Sequence, residues 1–441
     1  MDEVAAALRV LAALTVDPAD PALAEVRAAV DVAYRAGKKQ RKAARHTERR
    51  AHDRALLASA TRFRDENPSP AVQTPQHHDH HQERRLYGGR RCYVCKQRYR
   101  DVDADYHLLC PACATENATR RHARCDLTGR RALITGGRIK IGFQTALKLL
   151  RDGADVLVTT RFPVDAARRF AAVPDVGEWR DRLWIHGVDL LDLPGALGLV
   201  DAVAERWGAL DILVNNAAQT IRRPAGYHRE VRAGERAELP GPARAIRRTG
   251  GEEARAALPV PLNDLFPAGL RDETGEQLDL RDVNSWVLGV EDVSPAEWLE
   301  THVVNAFVPF LLTARLKPLM IKSASPDRYV VQVSAMEGVF GRAYKTPRHP
   351  HTNMAKAGLN MLTRTVAGEF AADGIHMCSV DTGWITDERP HPSKTAQREA
   401  GFRPPLDVID GAARVYDPIV RGVRGEPVHG VFLKDYRESA W

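Results

Sequence analysis

From about Asp126 onward, short runs rich in β-branched residues alternate with longer stretches of helical period. In order, "RRALITGG", "ADVLVTT", "RLWIHGVDL", "LDILVNNAA", "RYVVQVSA", "IHMCSVDTG" and "VHGVFLKD" are seven candidate strands, most with a helix-like segment between them. Strands separated by helices pair through crossovers, which gives βαβ units and a buried parallel sheet. The expected class is α/β with a doubly wound parallel sheet.

The first strand runs into "LITGGRIKIGFQTALKLLRDGADVLVTTRFP". A strand, a glycine turn and a helix in one βαβ unit bring backbone N–H groups and a helix N-terminus to a pyrophosphate, as in a Rossmann fold. Further on come Asp189 closing "HGVDL", then "NNAA" from Asn215, and Asn305 in "VVNAF". Ser334 in "VQVSAMEG", Lys356 in "NMAKAGLN" and the segment "TGWIT" follow in that order. With these motifs the chain from about Asp126 to its last residue resembles the short-chain dehydrogenase/reductase family. The resemblance implies that Thr135, Gly136, Ile141 and Gly142 hold the cofactor phosphates and that Asp189 meets adenine. It also implies that Asn215, Asn216 and Ala217 support the nucleotide pocket. Gly383 and Ile385 would belong to the cofactor-binding set, with Thr386 facing the nicotinamide carboxamide.

Cofactor choice follows from charge. NAD sites put a carboxylate at the end of the second strand to accept the ribose hydroxyls. Here that end reads "TTRFP", with Thr160 and Arg161, and Arg138 in the turn adds a second cation. Two guanidiniums suit a 2′-phosphate, so NADP is favoured over NAD, unless Arg161 pairs elsewhere. Lys140 stands where the family has its middle glycine. Its Cβ would push the pyrophosphate outward or reshape the turn, or its ammonium would bind phosphate.

The resemblance gives Ser334 as the partner of the reacting oxygen, Lys356 as the ribose-holding lysine and Asn305 as support for a water relay. In the family a tyrosine four residues before that lysine transfers the proton, on the same helix face. Here Thr352 occupies that position. An alkyl hydroxyl has no usable acidity near neutral pH. Tyr344, on the loop after Ser334, and His351, beside Thr352, are the candidate replacements. The chemistry implied is carbonyl/alcohol interconversion on a small molecule. The rival reading is a catalytically impaired nucleotide-binding protein that acts as a sensor or interaction scaffold.

Asn215 and Asn305 are further apart than the family's landmarks, which places an insertion at about 219–290. Its first half is polar and rich in Gly and Pro, consistent with a substrate lid, a docking surface or partial disorder. The helices carrying Asn305 and Lys356 would form a dimer or tetramer interface by resemblance.

At 441 residues the chain has room for two or three units. Residues 1–65 read as helical, 66–91 as a flexible linker and 92–124 as a cysteine module, with 125–441 the Rossmann-type domain. The module contains C-x2-C, fourteen residues, then C-x2-C: Cys92, Cys95, Cys110 and Cys113. Four thiolates complete a closed tetrahedral Zn2+ shell, so the metal should be structural. The knuckle is either a surface for a protein partner at the amino-terminal region or a staple between segments. The net charge of +7 is concentrated in "YRAGKKQRKAARHTERRAHDR". Without interleaved aromatics this reads as a solvated helix face rather than a nucleic-acid site. No apolar run suggests a membrane span, and acidic residues stand where a secretory signal would be basic, so a cytoplasmic location is expected.

Overall fold

The computed structural model describes residues 2–64, 84–250, 264–342 and 345–441. Two helices open the chain, Asp2–Val16 and Ala24–Ala58, both largely exposed. A two-stranded antiparallel ribbon follows, β1 (Arg85–Arg91) and β2 (Arg98–Asp101), then the helix Pro111–Arg121. The ribbon begins inside the stretch that reads as linker in the sequence. Leu86 is buried there against Leu57, Tyr99 and Leu109, so the cysteine module starts earlier than its first cysteine.

The remaining strands are β3 (Arg131–Ile134), β4 (Asp155–Thr160), β5 (Leu183–Gly187), β6 (Ile212–Asn215), β7 (Arg247–Thr249), β8 (Arg328–Ser334), β9 (Ile375–Asp381), β10 (Phe432–Lys434) and β11 (Arg437–Ser439). Among the described residues they form one nine-stranded sheet in the order β11-β10-β9-β8-β6-β3-β4-β5-β7. Every pairing is parallel except β10 with β11. All seven strands expected from the sequence are present. β7 and β11 are additions at the two edges.

Period-2 alternation assigns the strand side chains to two apolar layers. Ile134, Val156, Val158 and Val214 pack with Phe143, Phe170 and Ile419 on one face. Leu133, Leu157 and Leu213 pack with Leu199, Leu312 and Phe370 on the other. Strand order reverses between β3 and β6, and a groove opens beyond the C-terminal strand ends there, where doubly wound sheets bind ligands. The stretch Pro295–Ile321 is long and apolar enough to cross a membrane, but half of its most apolar window is buried inside the fold. Phe307, Phe310, Met354 and Met361 stand exposed on the two helices to which the resemblance assigns subunit contact.

Candidate active site

The groove has a volume of about 1350 Å3. That is more than one small molecule needs and suits a dinucleotide with a substrate beside it. Its floor is the turn between β3 and the helix Lys140–Arg151. Gly136 is left-handed (φ +70°), and a Cβ on it would lie 3.0 Å from the Ala217 backbone. A Cβ on Gly142 would overlap the Gly136 carbonyl oxygen and the Asn216 amide. Thr135 Oγ1 accepts from the backbone N–H groups of Asn216 and Ala217, both at 3.0 Å. Asn216 Nδ2 donates to the carbonyls of Thr135 and Gly136 at 3.0 and 3.1 Å. These bonds stitch the "NNA" segment to the turn. Asn215 differs from expectation: it faces the core and donates to Gln332 Oε1 (3.0 Å) and Thr313 Oγ1 (3.2 Å) rather than lining the groove.

Lys140 keeps the turn that its family counterpart makes with glycine. Its φ is +52°, and its ammonium reaches Glu388 Oε1 at 3.6 Å. Glu388 also accepts from the Thr386 hydroxyl at 2.6 Å. Burial alone would raise this carboxyl, but Lys140, the Thr386 hydroxyl and Arg223 hold it at about 2. The pair bridges the groove from the glycine turn to the segment after β9.

At the C-terminal ends of β4 and β5, Thr160 Oγ1 accepts from Phe162 N at 3.0 Å, and Asp189 Oδ1 from Leu191 N at 3.0 Å. The two expected arginines separate. Arg138 is buried between Asp165 (2.6 Å) and Glu276, and Glu276, from the insertion, also binds Arg169 at 2.8 Å. It is therefore neutralised and is not a free phosphate ligand. Arg161 lines the groove, exposed, and among the described residues has no carboxylate partner. Its polar contact is His228 Nε2 at 3.4 Å. Burial and the Arg161 guanidinium push His228 down to about 2, so the imidazole is neutral.

At the other end, Ser334 closes β8 and donates from Oγ to Asn360 Oδ1 at 2.6 Å. Lys356, on the helix Pro350–Ala372, donates from Nζ to the Val333 carbonyl at 2.8 Å. Burial lowers its pKa to about 8, against the opposing pull of Glu337. Asn305 lies in a π-turn, Val303–Phe307, a feature that often marks functional positions in helices. Its Oδ1 accepts from Gln219 N at 2.6 Å and its Nδ2 donates to Gln219 O at 3.1 Å. Thr352 lines the groove, and its buried Oγ1 has no hydrogen-bond partner among the described residues. His351 does not reach the groove. Only 1% exposed, it packs inward with Nε2 3.7 Å from Glu297 Oε1, because adjacent helical residues point about 100° apart. Tyr344 lies outside the described residues.

The sequence profile described as short chain dehydrogenase matches residues 130–233, and that described as Enoyl-(Acyl carrier protein) reductase matches residues 286–401. Uncharacterized protein R665 of Acanthamoeba polyphaga mimivirus is 36% identical over 347 residues, 75% of this chain and 71% of that protein. The chain belongs to the short-chain dehydrogenase/reductase family. Carbonyl reductase [NADPH] 1 of Sus scrofa is 37% identical over 102 residues, 22% of this chain and 34% of that protein. A short chain dehydrogenase from Burkholderia cenocepacia, solved in complex with NADP, is 21% identical with a TM-score of 0.46, over 70% of this chain and 97% of that one.

One part of the groove in this short-chain dehydrogenase/reductase was not legible from motifs. Tyr93 and Lys96, on the first cysteine knuckle, line it, and the Tyr93 hydroxyl accepts from Trp384 N at 2.8 Å. The sulfurs of Cys92, Cys95, Cys110 and Cys113 lie within 4.8 Å of one another, with Cys95 and Cys110 3.7 Å apart. Zn–S bonds of 2.3 Å in a tetrahedron put sulfurs about 3.8 Å apart, so the donor set fits Zn2+. His107 is turned away from the cluster, with Nε2 3.4 Å from the Arg403 carbonyl.

Proposed function

We propose that the protein is an NADP-dependent oxidoreductase that interconverts a carbonyl and an alcohol, with a structural Zn2+ on its four clustered cysteines. The observation that carries the cofactor choice is Arg161, a groove-lining guanidinium at the end of β4 without a carboxylate partner among the described residues. A 2′-phosphate gives it the charge-assisted partner it lacks. The N-terminus of the helix Lys140–Arg151 faces the pyrophosphate. Lys356 holds the ribose hydroxyls and the Ser334 hydroxyl turns its hydrogen from Asn360 to the reacting oxygen. Asn305, clamped on both sides of its amide by Gln219, supports a water. When bound, the nicotinamide supplies or accepts the hydride.

Titration with both reduced cofactors tests this. NADPH should bind at least about tenfold more tightly than NADH, and Arg161→Ala should bring the two close to parity. Equal affinities in the wild type reject the NADP assignment. The proton is the open step, since Thr352 is no acid at neutral pH. Tyr344 is the remaining sequence candidate. Tyr344→Phe should abolish cofactor oxidation and leave NADPH binding intact, and unchanged turnover excludes that phenol.

One observation favours a second reading. Among the described residues, no phenol hydrogen-bonds Lys356 or Ser334. The protein would then bind NADP without turning over, acting as a sensor. Tight NADPH binding with no oxidation across a varied carbonyl panel would support that reading over the enzyme.

A further inference from the structure

The segment between β9 and the helix Val408–Val423 carries Gly383, Ile385, Thr386 and Glu388, and the cysteine module holds it at both ends. At its start, the Tyr93 hydroxyl takes the Trp384 N–H at 2.8 Å. The neighbouring Gly383 is left-handed (φ +82°), and a Cβ there would meet Leu406 Cδ1 at 2.6 Å and the Tyr93 oxygen at 3.5 Å. At its end, Leu406 is buried in one apolar cluster with Cys92, Tyr99, Leu109 and Cys113, with Ile385 packed at its edge. Asp407 then pairs with Arg121 of the module at 2.6 Å and with Arg62 at 2.8 Å. Between these anchors lies Glu388, the residue that reaches across to Lys140.

We infer that the four-cysteine module is a wall of the cofactor groove, with Tyr93 as the positioning residue that sets the nicotinamide-side segment Thr382–Thr386. A staple remote from the groove has no reason to present Tyr93 and Lys96 to it. Among the described residues, the knuckle supplies the acceptor of the Trp384 N–H. The cofactor consequence rests on the groove being an NADP site. The segment's order does not, so the two can be tested apart.

The test is Tyr93→Phe in the full-length, zinc-loaded protein, read by amide hydrogen exchange of the peptide spanning Trp384 without cofactor. NADPH affinity, zinc content and the unfolding midpoint are measured alongside. The ring and its packing stay, and only the acceptor oxygen is lost. Exchange around Trp384 should quicken by about fivefold and the NADPH Kd should rise about three- to tenfold, with zinc and midpoint unchanged. Unchanged exchange overturns the inference. So does loss of zinc from Tyr93→Phe, which would make Tyr93 a folding residue rather than a positioning one. As a second measurement, NADPH should slow exchange in the wild-type peptide from Cys92 to Arg98, and no protection there overturns the module's place in the wall. If the wild type binds no NADPH, the functional reading fails, and the cofactor-free exchange still decides whether Tyr93 sets the segment.

Discussion

Chelation of the proposed Zn2+ is expected to lower the unfolding midpoint of the whole protein by about 10 °C or more, not merely to loosen a peripheral module. Four sulfurs this close, two of them on the buried Cys92 and Cys113, repel one another as thiolates unless a cation sits among them. The damage then travels. The module brings Arg121 (2% exposed side chain) to Asp407 and Asp410, which are 1% and 0% exposed at the start of the helix Val408–Val423. Arg62 closes the same cluster, and Tyr106 and Asn117 donate to Asp410 at 2.8 and 3.0 Å. Burial would raise the Asp410 carboxyl, but Arg121, Arg62 and Arg414 hold it well below the usual carboxylate range. Removing the partner of a buried charge costs roughly 3–5 kcal/mol, and a loosened module strips partners from two carboxylates of the Rossmann-type domain. Differential scanning with and without chelator, followed by zinc add-back, measures this. A shift of under about 2 °C would leave the cluster without the folding role assigned to it.

Gly142→Ala is expected to weaken NADPH binding by about a hundredfold or more while far-UV circular dichroism stays native. One methyl suffices because it has nowhere to go. It would overlap the Gly136 carbonyl, which is backbone, and the Asn216 amide that fastens the "NNA" segment to the turn. The first turn of the helix Lys140–Arg151 must then move away from β3. Its free N–H groups move with it, and those are the groups that would face the pyrophosphate. Wild-type affinity in this variant would mean that the turn does not touch the cofactor.

The fold was largely legible because it is written in local periods. Each expected strand of the sheet is a short apolar run, and Ser334, Thr352 and Lys356 sit in motifs whose geometry depends on neighbours a few residues away. The elements that escaped lack that signal. β7 is Arg-Arg-Thr with all three residues exposed, and β1 lies in a run of arginines and glycines where only Leu86 is buried. Some site features depend on partners distant in sequence. The glycine turn alone makes Arg138 a phosphate ligand, but its partner Glu276 lies 138 positions away in the insertion. Tyr93 meets Trp384 across 291 positions. Composition and spacing carry no record of such pairs, because side chains brought together only by the finished fold leave no local pattern. Adjacency to Thr352 makes His351 a candidate acid, yet one helical step turns it to the interior.

The bridge between Lys140 and Glu388 makes the groove a place of exchange. Arg138 likewise arrives already matched, to Asp165 and Glu276, and Arg223 to Asp279. These three cations of the groove are thus already matched, whereas Arg161, among the described residues, is not. If the proposed dinucleotide places its diphosphate against Lys140, it would displace the carboxylate of Glu388, and occupancy would then be a swap of anions rather than an addition. Small bystander anions, with fewer contacts to offer, are poor competitors in such a swap, and selection happens at the moment of trade.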